Sequence, residues 1–271
     1  FSEKKGLIRA QRWALVLASE QRVQPRCPVA HECGGCDWMM LSEGEQRRSK
    51  LSLLQQALRR TAKIAEYTYA PLWVGERRYG YRSRIRLQIA GGRIGFRRKS
   101  SHELVEPLQC AVSEPALNDA LARLRELAQR SPGALDCFDE VELAVDSGGG
   151  VALHFTLGEH AAQPSKESSA LLAELAPEFP LCVGEAQSGE PPWQRVELVD
   201  GVYLLAPVGT FTQVNWEVNR ALIRELLAEL DAPAKGVAVA VDSEVVPRGE
   251  WDHFVIEDGT RIEVLTAVQG G

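Results

Sequence analysis

The sequence predicts an α+β fold, mostly antiparallel sheet with packed helices. Two patterns predict it. Short segments with apolar residues at every second position come in pairs, and each pair is joined across glycine. Leucine stripes at helical spacing run between the pairs. With 271 residues the chain allows one large or two modest domains with real cores. It contains no internal repeat and no low-complexity tract.

Taken in order, residues 7–17 read as a strand remnant and 22–25 as a polar link. Residues 27–36 form a tight loop on Pro28 and the pair Gly34-Gly35, whose tolerance of positive φ lets the backbone curl. Ser42 and Glu45 fit a capping box, heading a helix to about Arg60 with a stripe of Leu51, Leu54 and Leu58. Residues 81–89 alternate, with Ile85, Leu87 and Ile89 on one side and Arg82, Arg84 and Arg86 near the other. Gly91-Gly92 turns this strand into a second one through Ile94 and Phe96, giving a hairpin with an apolar and a basic face. A helix follows Ser113, with Leu117, Leu121, Leu124 and Leu127 inward.

The second half continues the pattern. Val141, Leu143 and Val145 alternate opposite Val151, Leu153, Phe155 and Leu157, across a turn at Gly148–Gly150. A short helix spans roughly 166–176. Residues 196–199 and 202–205 pair across Asp200-Gly201, a strong hairpin signal. A helix over about 218–230 follows, then single strands at 237–246 and 261–268.

Charge divides the chain. Residues 1–110 hold 21 Lys and Arg against 10 Asp and Glu, whereas 111–271 hold 10 against 27. A basic half on a net-acidic protein points toward a polyanion, and two differently charged solvated halves are the bland alternative. No run of eighteen apolar residues exists, so no membrane span is expected. The chain shows no signal-peptide pattern and reads as cytoplasmic; it begins at Phe1, which leaves room for an upstream piece. Six cysteines in a reducing compartment suggest metal or catalysis more than disulfides.

Cys27, Cys33 and Cys36 stand in the run C-P-V-A-H-E-C-G-G-C. Three thiolates on one short loop can face a common centre, and Cys110, in P-L-Q-C after the basic hairpin, is the best fourth ligand. Four thiolates suit iron–sulfur or zinc, and His31 offers a three-cysteine, one-histidine zinc site instead. Cys137 and Cys182 stand alone in apolar, strand-like surroundings and read as buried structural thiols.

The stretch R-C-P-V-A-H-E-C-G-G-C-D-W resembles the cluster loop of RNA uracil-5-methyltransferases, in particular the branch acting on ribosomal RNA. Y-G-Y-R-S-R-I-R-L is similar to that family's Y-R-x-(R/K) strand, and the stretch ending P-L-Q-C to the segment carrying its fourth ligand. G-T-F-T-Q-V-N, residues 209–215, is similar to the family's F-x-Q-V-N motif. The matches keep family order across about residues 1–219. The resemblance implies a [4Fe-4S] cluster on Cys27, Cys33, Cys36 and Cys110, RNA as partner (ribosomal RNA in that branch), and a small β-barrel whose last part is residues 1–26. It places Phe211, Gln213 and Asn215 at the edge of the pocket for a flipped base and the methyl donor.

Charge and flat side chains mark Tyr81, Arg82, Arg84, Arg86, Arg97, Arg98, Lys99 and His102 as candidate RNA contacts, with Tyr79 beside them; a solvated arginine face is the alternative. The family's catalytic domain is expected after Asn219, with a glycine-rich S-adenosylmethionine loop, a nucleophilic cysteine and a glutamate base. None of these patterns occurs, and no cysteine follows Cys182. No residue here is assigned a catalytic role, and the chain alone is expected to be inactive and not to bind that cofactor.

The end instead resembles the thiamine-pathway sulfur carrier, a small ubiquitin-like β-grasp protein, through V-A-V-A-V-x-x-E-V-V-P-R-x-x-W and the terminal T-A-V-Q-G-G. That resemblance implies a thiocarboxylate on Gly271 after Gly270, with an adenylating enzyme and a thiazole synthase as partners. The expected division is 1–26, a central iron–sulfur and RNA-binding domain over 27–219, and a partial β-grasp-like segment over 220–271. The hairpin over 196–205 fits either module. The join reads equally as a natural fusion, an engineered one or an assembly artefact.

Overall fold

The computed structural model describes residues 2–4, 7–9, 14–68, 75–184, 192–199, 201–229, 237–241, 244–247 and 262–266. The chain divides into two compact units, residues 1–73 and 74–271.

In the first unit β1 (Ser2–Lys4) pairs antiparallel with β2 (Leu7–Arg9). The strand expected over 7–17 is therefore shorter: residues 14–17 lie outside any strand, and Leu15, Val16 and Leu17 are exposed. Apolar character alone made that stretch look strand-like. Helix α1 (Glu43–Arg60) starts where the cap predicts, with Ser42 Oγ accepting from Glu45 N at 3.3 Å. Only half of the box forms. Ser42 N donates to Gln21 O at 2.8 Å, and the Glu45 carboxylate takes Arg48 and Ser49 instead. No residue of α1 is buried, and Leu54 of its stripe is 49% exposed.

The second unit is built on a six-stranded sheet, in the order β5 (Leu104–Val105), β4 (Arg93–Arg97), β3 (Arg84–Ala90), β6 (Phe138–Val145), β7 (Val151–Leu157) and β8 (Leu181–Val183). Only the β7–β8 pair is parallel. Gly91 and Gly92 turn β3 into β4 at φ +57° and +72°, the left-handed region a two-residue hairpin needs. The period-2 alternation puts Ile85, Leu87 and Ile89 of β3, Val141 and Leu143 of β6, and Leu153 and Phe155 of β7 into one core. Helix α2 (Pro115–Arg130) lays Leu117, Leu121, Leu124 and Leu127 into that core, and α3 (Lys166–Leu175) adds Leu171 and Leu175. Each such leucine is worth about 1.5–3 kcal/mol of burial. Pro115 supplies the fixed φ at the start of α2, so the helix begins one residue later than Ser113 suggests, with Glu114 as its cap.

The opposite face of the sheet is polar. Adjacent strands bring Arg86, Glu142, His154 and Cys182 into one cross-strand row.

Strands β9 (Trp193–Val199) and β10 (Val202–Pro207) form the expected hairpin, with Gly201 at φ +76°, and α4 (Trp216–Glu229) follows. The hairpin joins the sheet module: Ser147 N donates to Arg195 O at 2.9 Å, Glu197 N donates to Ser147 Oγ at 2.6 Å, and Val196 and Trp216 enter its core. A separate three-stranded sheet has the order β12 (Glu244–Val246), β11 (Val237–Val241), β13 (Ile262–Thr266). The single strand expected over 237–246 is thus two antiparallel strands, with Val241 opposite Glu244.

Candidate functional site

The cysteine loop is wound by its own backbone. Ala30 N donates to Cys27 O at 3.2 Å, and Cys33 N donates to Val29 O at 2.8 Å. Gly35 N donates to Cys33 Sγ at 3.5 Å. Neither Gly34 nor Gly35 adopts positive φ, so the curl does not depend on left-handed glycine as expected; a Cβ on Gly35 would stand 3.6 Å from Cys33 Sγ. None of the six cysteines is in a disulfide, and all are partly exposed. Among the described residues no three His, Cys, Asp or Glu side chains converge on a metal position. Cys27, Cys33 and Cys36 belong to the first unit and Cys110 to the second. Cys27, Cys33 and Cys36 offer three partly exposed thiols on one loop, donors of the kind that iron–sulfur and zinc centres use. His31 is exposed and points to Glu32, Nε2 to Oε1 at 3.1 Å.

Cys110 sits on a turn that α2 and the approach to β3 hold from two sides. Asn118 clasps its backbone, Oδ1 accepting from Cys110 N at 2.8 Å and Nδ2 donating to Cys110 O at 3.2 Å. Gly80 N donates to Ala111 O, Tyr81 N and Arg82 N to Val112 O, and Glu114 N returns a bond to Arg82 O. The same seam continues to the segment 209–215. Arg82 bridges Asn215, and Ser83 N donates to Val214 O at 2.8 Å. The Cys110 turn and the segment holding Phe211, Gln213 and Asn215 are therefore braced through residues 80–83.

Within that segment Gly209 stands at φ +96°, where a Cβ would lie 2.6 Å from His154 Nδ1. His154 is itself tied by Nε2 to Gly184 O at 3.1 Å. Phe211 is 78% exposed and its ring lies 5.5 Å from the Arg84 guanidinium. Gln213 is exposed. Asn215 caps α4, its Oδ1 accepting from Val218 N at 3.1 Å.

The basic hairpin is less open than its charge count suggests. Arg84 is only 11% exposed; it donates to the carbonyls of Thr210 and Thr212 and lies 3.7 Å from Glu142. Arg86 pairs with Glu140 and Glu142. Arg97 meets His102 and donates to Gln88 Oε1, and Arg98 pairs with Glu103 at 3.1 Å. Tyr81 and Lys99 are half-buried. The residues that sequence reasoning missed are Glu140 and Glu142, which alternate with Val141 and Leu143; that alternation was the available signal. Cys137 is hydrogen-bonded to Ser168 Oγ at 3.1 Å, and burial, with Glu142 nearby, pushes the Cys182 thiol up. Gly270 and Gly271 lie outside the described residues.

The chain is similar to RNA uracil-C5 methyltransferases. Among them is the 23S rRNA (uracil(1939)-C(5))-methyltransferase RlmD of Mannheimia succiniciproducens, 31% identical over 245 residues, which cover 84% of this chain and 53% of the relative. An uncharacterized RNA methyltransferase of Bdellovibrio bacteriovorus is 36% identical over 127 residues, 47% of this chain and 32% of the relative. The chain thus spans between about a quarter and three-fifths of the length of such curated relatives. The fold is like that of the Pyrococcus abyssi tRNA (uracil-54, C5)-methyltransferase, solved with S-adenosyl-L-homocysteine, at TM-score 0.56 and 23% identity over 82% of this chain and 54% of that one. The ThiS family model matches residues 202–271. No described helix is long and apolar enough to cross a membrane.

Proposed function

We propose that residues 1–219 are the RNA-binding iron–sulfur portion of a 23S-rRNA-type uracil-5-methyltransferase, working in the cytoplasm. The observation that carries this reading is the 31% identity to a 23S rRNA methyltransferase over 84% of the chain. Cys27, Cys33, Cys36 and Cys110 hold the cluster, which when bound contributes folding free energy by linking distant stretches of chain. Arg82, Arg86, Arg97, Arg98 and Lys99 face phosphates, with Tyr81 and His102 beside nucleotides. Phe211, Gln213 and Asn215 border the target base.

Methyl transfer needs more than this chain carries. Uracil C5 becomes nucleophilic only after a thiolate adds to C6, and a base must later remove the C5 proton. Cys182 is held as a thiol by burial, and Cys137 is engaged with Ser168. The test is incubation with labelled S-adenosylmethionine and ribosomal RNA under anaerobic conditions. RNA should be retained without label above a heat-killed control; incorporation, or no RNA binding at all, would overturn the reading.

A second reading is a sulfur carrier, charged as a thiocarboxylate at Gly271 by an adenylating enzyme and serving a thiazole synthase. The ThiS match over 202–271 favours it. Thiocarboxylation of the terminus, read by intact mass, would support this reading.

A further inference from the structure

The basic strand β3 was expected to offer its arginines to phosphates, yet Arg84 is placed differently from the rest. Its side chain is only 11% exposed. One terminal nitrogen donates to Thr210 O and the other to Thr212 O, the second at 2.9 Å. The guanidinium lies 5.5 Å from the Phe211 ring, and the buried carboxylate of Glu142 lies behind it at 3.7 Å. Glu142 is 3% exposed and is shared with Arg86, and its Oε1 has no hydrogen-bond donor. A carboxylate so placed is stabilised by the two guanidinium charges.

We infer that Arg84 is a positioning residue: held by Glu142, it clamps the carbonyls of Thr210 and Thr212 and so sets the conformation of the 209–215 segment, instead of contacting RNA phosphate. A planar fork can bind two carbonyls at once, which a lysine ammonium on a flexible stem cannot do in the same way. The neighbouring contacts make the clamp local. Gly209 abuts His154 on one side of the two threonines, and Val214 is bonded to Ser83 on the other. Residues 210–213 between them have Arg84 as their side-chain anchor to β3. The inference rests on the RNA-binding reading for its functional consequence and on the geometry alone for the clamp.

Two measurements on Arg84→Ala and Arg84→Lys separate a clamp from a phosphate contact. The first is hydrogen exchange of the peptide spanning 208–216. Both variants should exchange at least tenfold faster there, with the peptide over α2 unchanged. The second is affinity for a uracil-containing single-stranded ribosomal RNA fragment across a salt series. Affinity should fall about tenfold or more in both variants, with the slope of log affinity against log salt unchanged. A slope reduced by about one unit in Arg84→Ala and preserved in Arg84→Lys, with exchange as in the parent, would mean a phosphate contact and overturn the inference. Glu142→Gln keeps the side chain's shape but removes its charge; it should speed exchange over 208–216 at least threefold, and it decides the question should both Arg84 variants fail to fold. Absence of RNA binding by the parent chain would sink the functional reading, while the exchange result would still decide the clamp.

Discussion

Gly209 shows how much a single residue decides here. At φ +96° an L side chain is strained, and a methyl group there would stand 2.6 Å from His154 Nδ1. Gly209→Ala should cost about 1–3 kcal/mol from the backbone alone, more with the clash. In urea unfolding, Gly209→Ala combined with His154→Ala should regain the steric part but not the backbone part. Strict additivity in that double-mutant cycle would mean the two residues do not touch in solution. Glycine at this position was visible in the sequence within G-T-F-T-Q-V-N; its partner His154, far earlier in the chain, was not.

At the scale of elements, what repeats locally was legible and what is paired at distance was not. The stripe Leu117, Leu121, Leu124, Leu127 announced α2, and Gly91-Gly92 announced the β3–β4 turn. Leu121 is fully buried in the shared core, so Leu121→Ala should destabilise the second unit by about 2–5 kcal/mol, read as a lower denaturant midpoint. A change under about 1 kcal/mol would mean that the core is looser than this packing. The carboxylates opposite the basic strand went unread because charge counting along a chain ignores cross-strand register. Arg86 opposite Glu142 is invisible until β3 and β6 are paired. Likewise the alternation over 237–246 could not reveal that Val241 and Glu244 lie opposite each other on paired antiparallel strands. The α1 leucines kept their spacing without being buried, because a stripe states which face is apolar and not what covers it.

For the whole molecule the charge asymmetry predicts behaviour that no single contact does. With about five or six phosphates neutralised on single-stranded RNA, log affinity should fall with log salt at a slope of roughly −4. Filter binding across a salt series measures it, and a flat dependence would leave the basic half as a solvated surface. The iron–sulfur assignment decides most, because it separates a metal-bearing RNA module from a sulfur-carrier appendage. Iron and acid-labile sulfide in anaerobically reconstituted protein test it most directly. About four of each per chain are expected, as a [4Fe-4S] centre requires, with their loss in Cys33→Ser and in Cys110→Ser. Zinc in place of iron, or iron that survives in Cys110→Ser, would contradict the assignment.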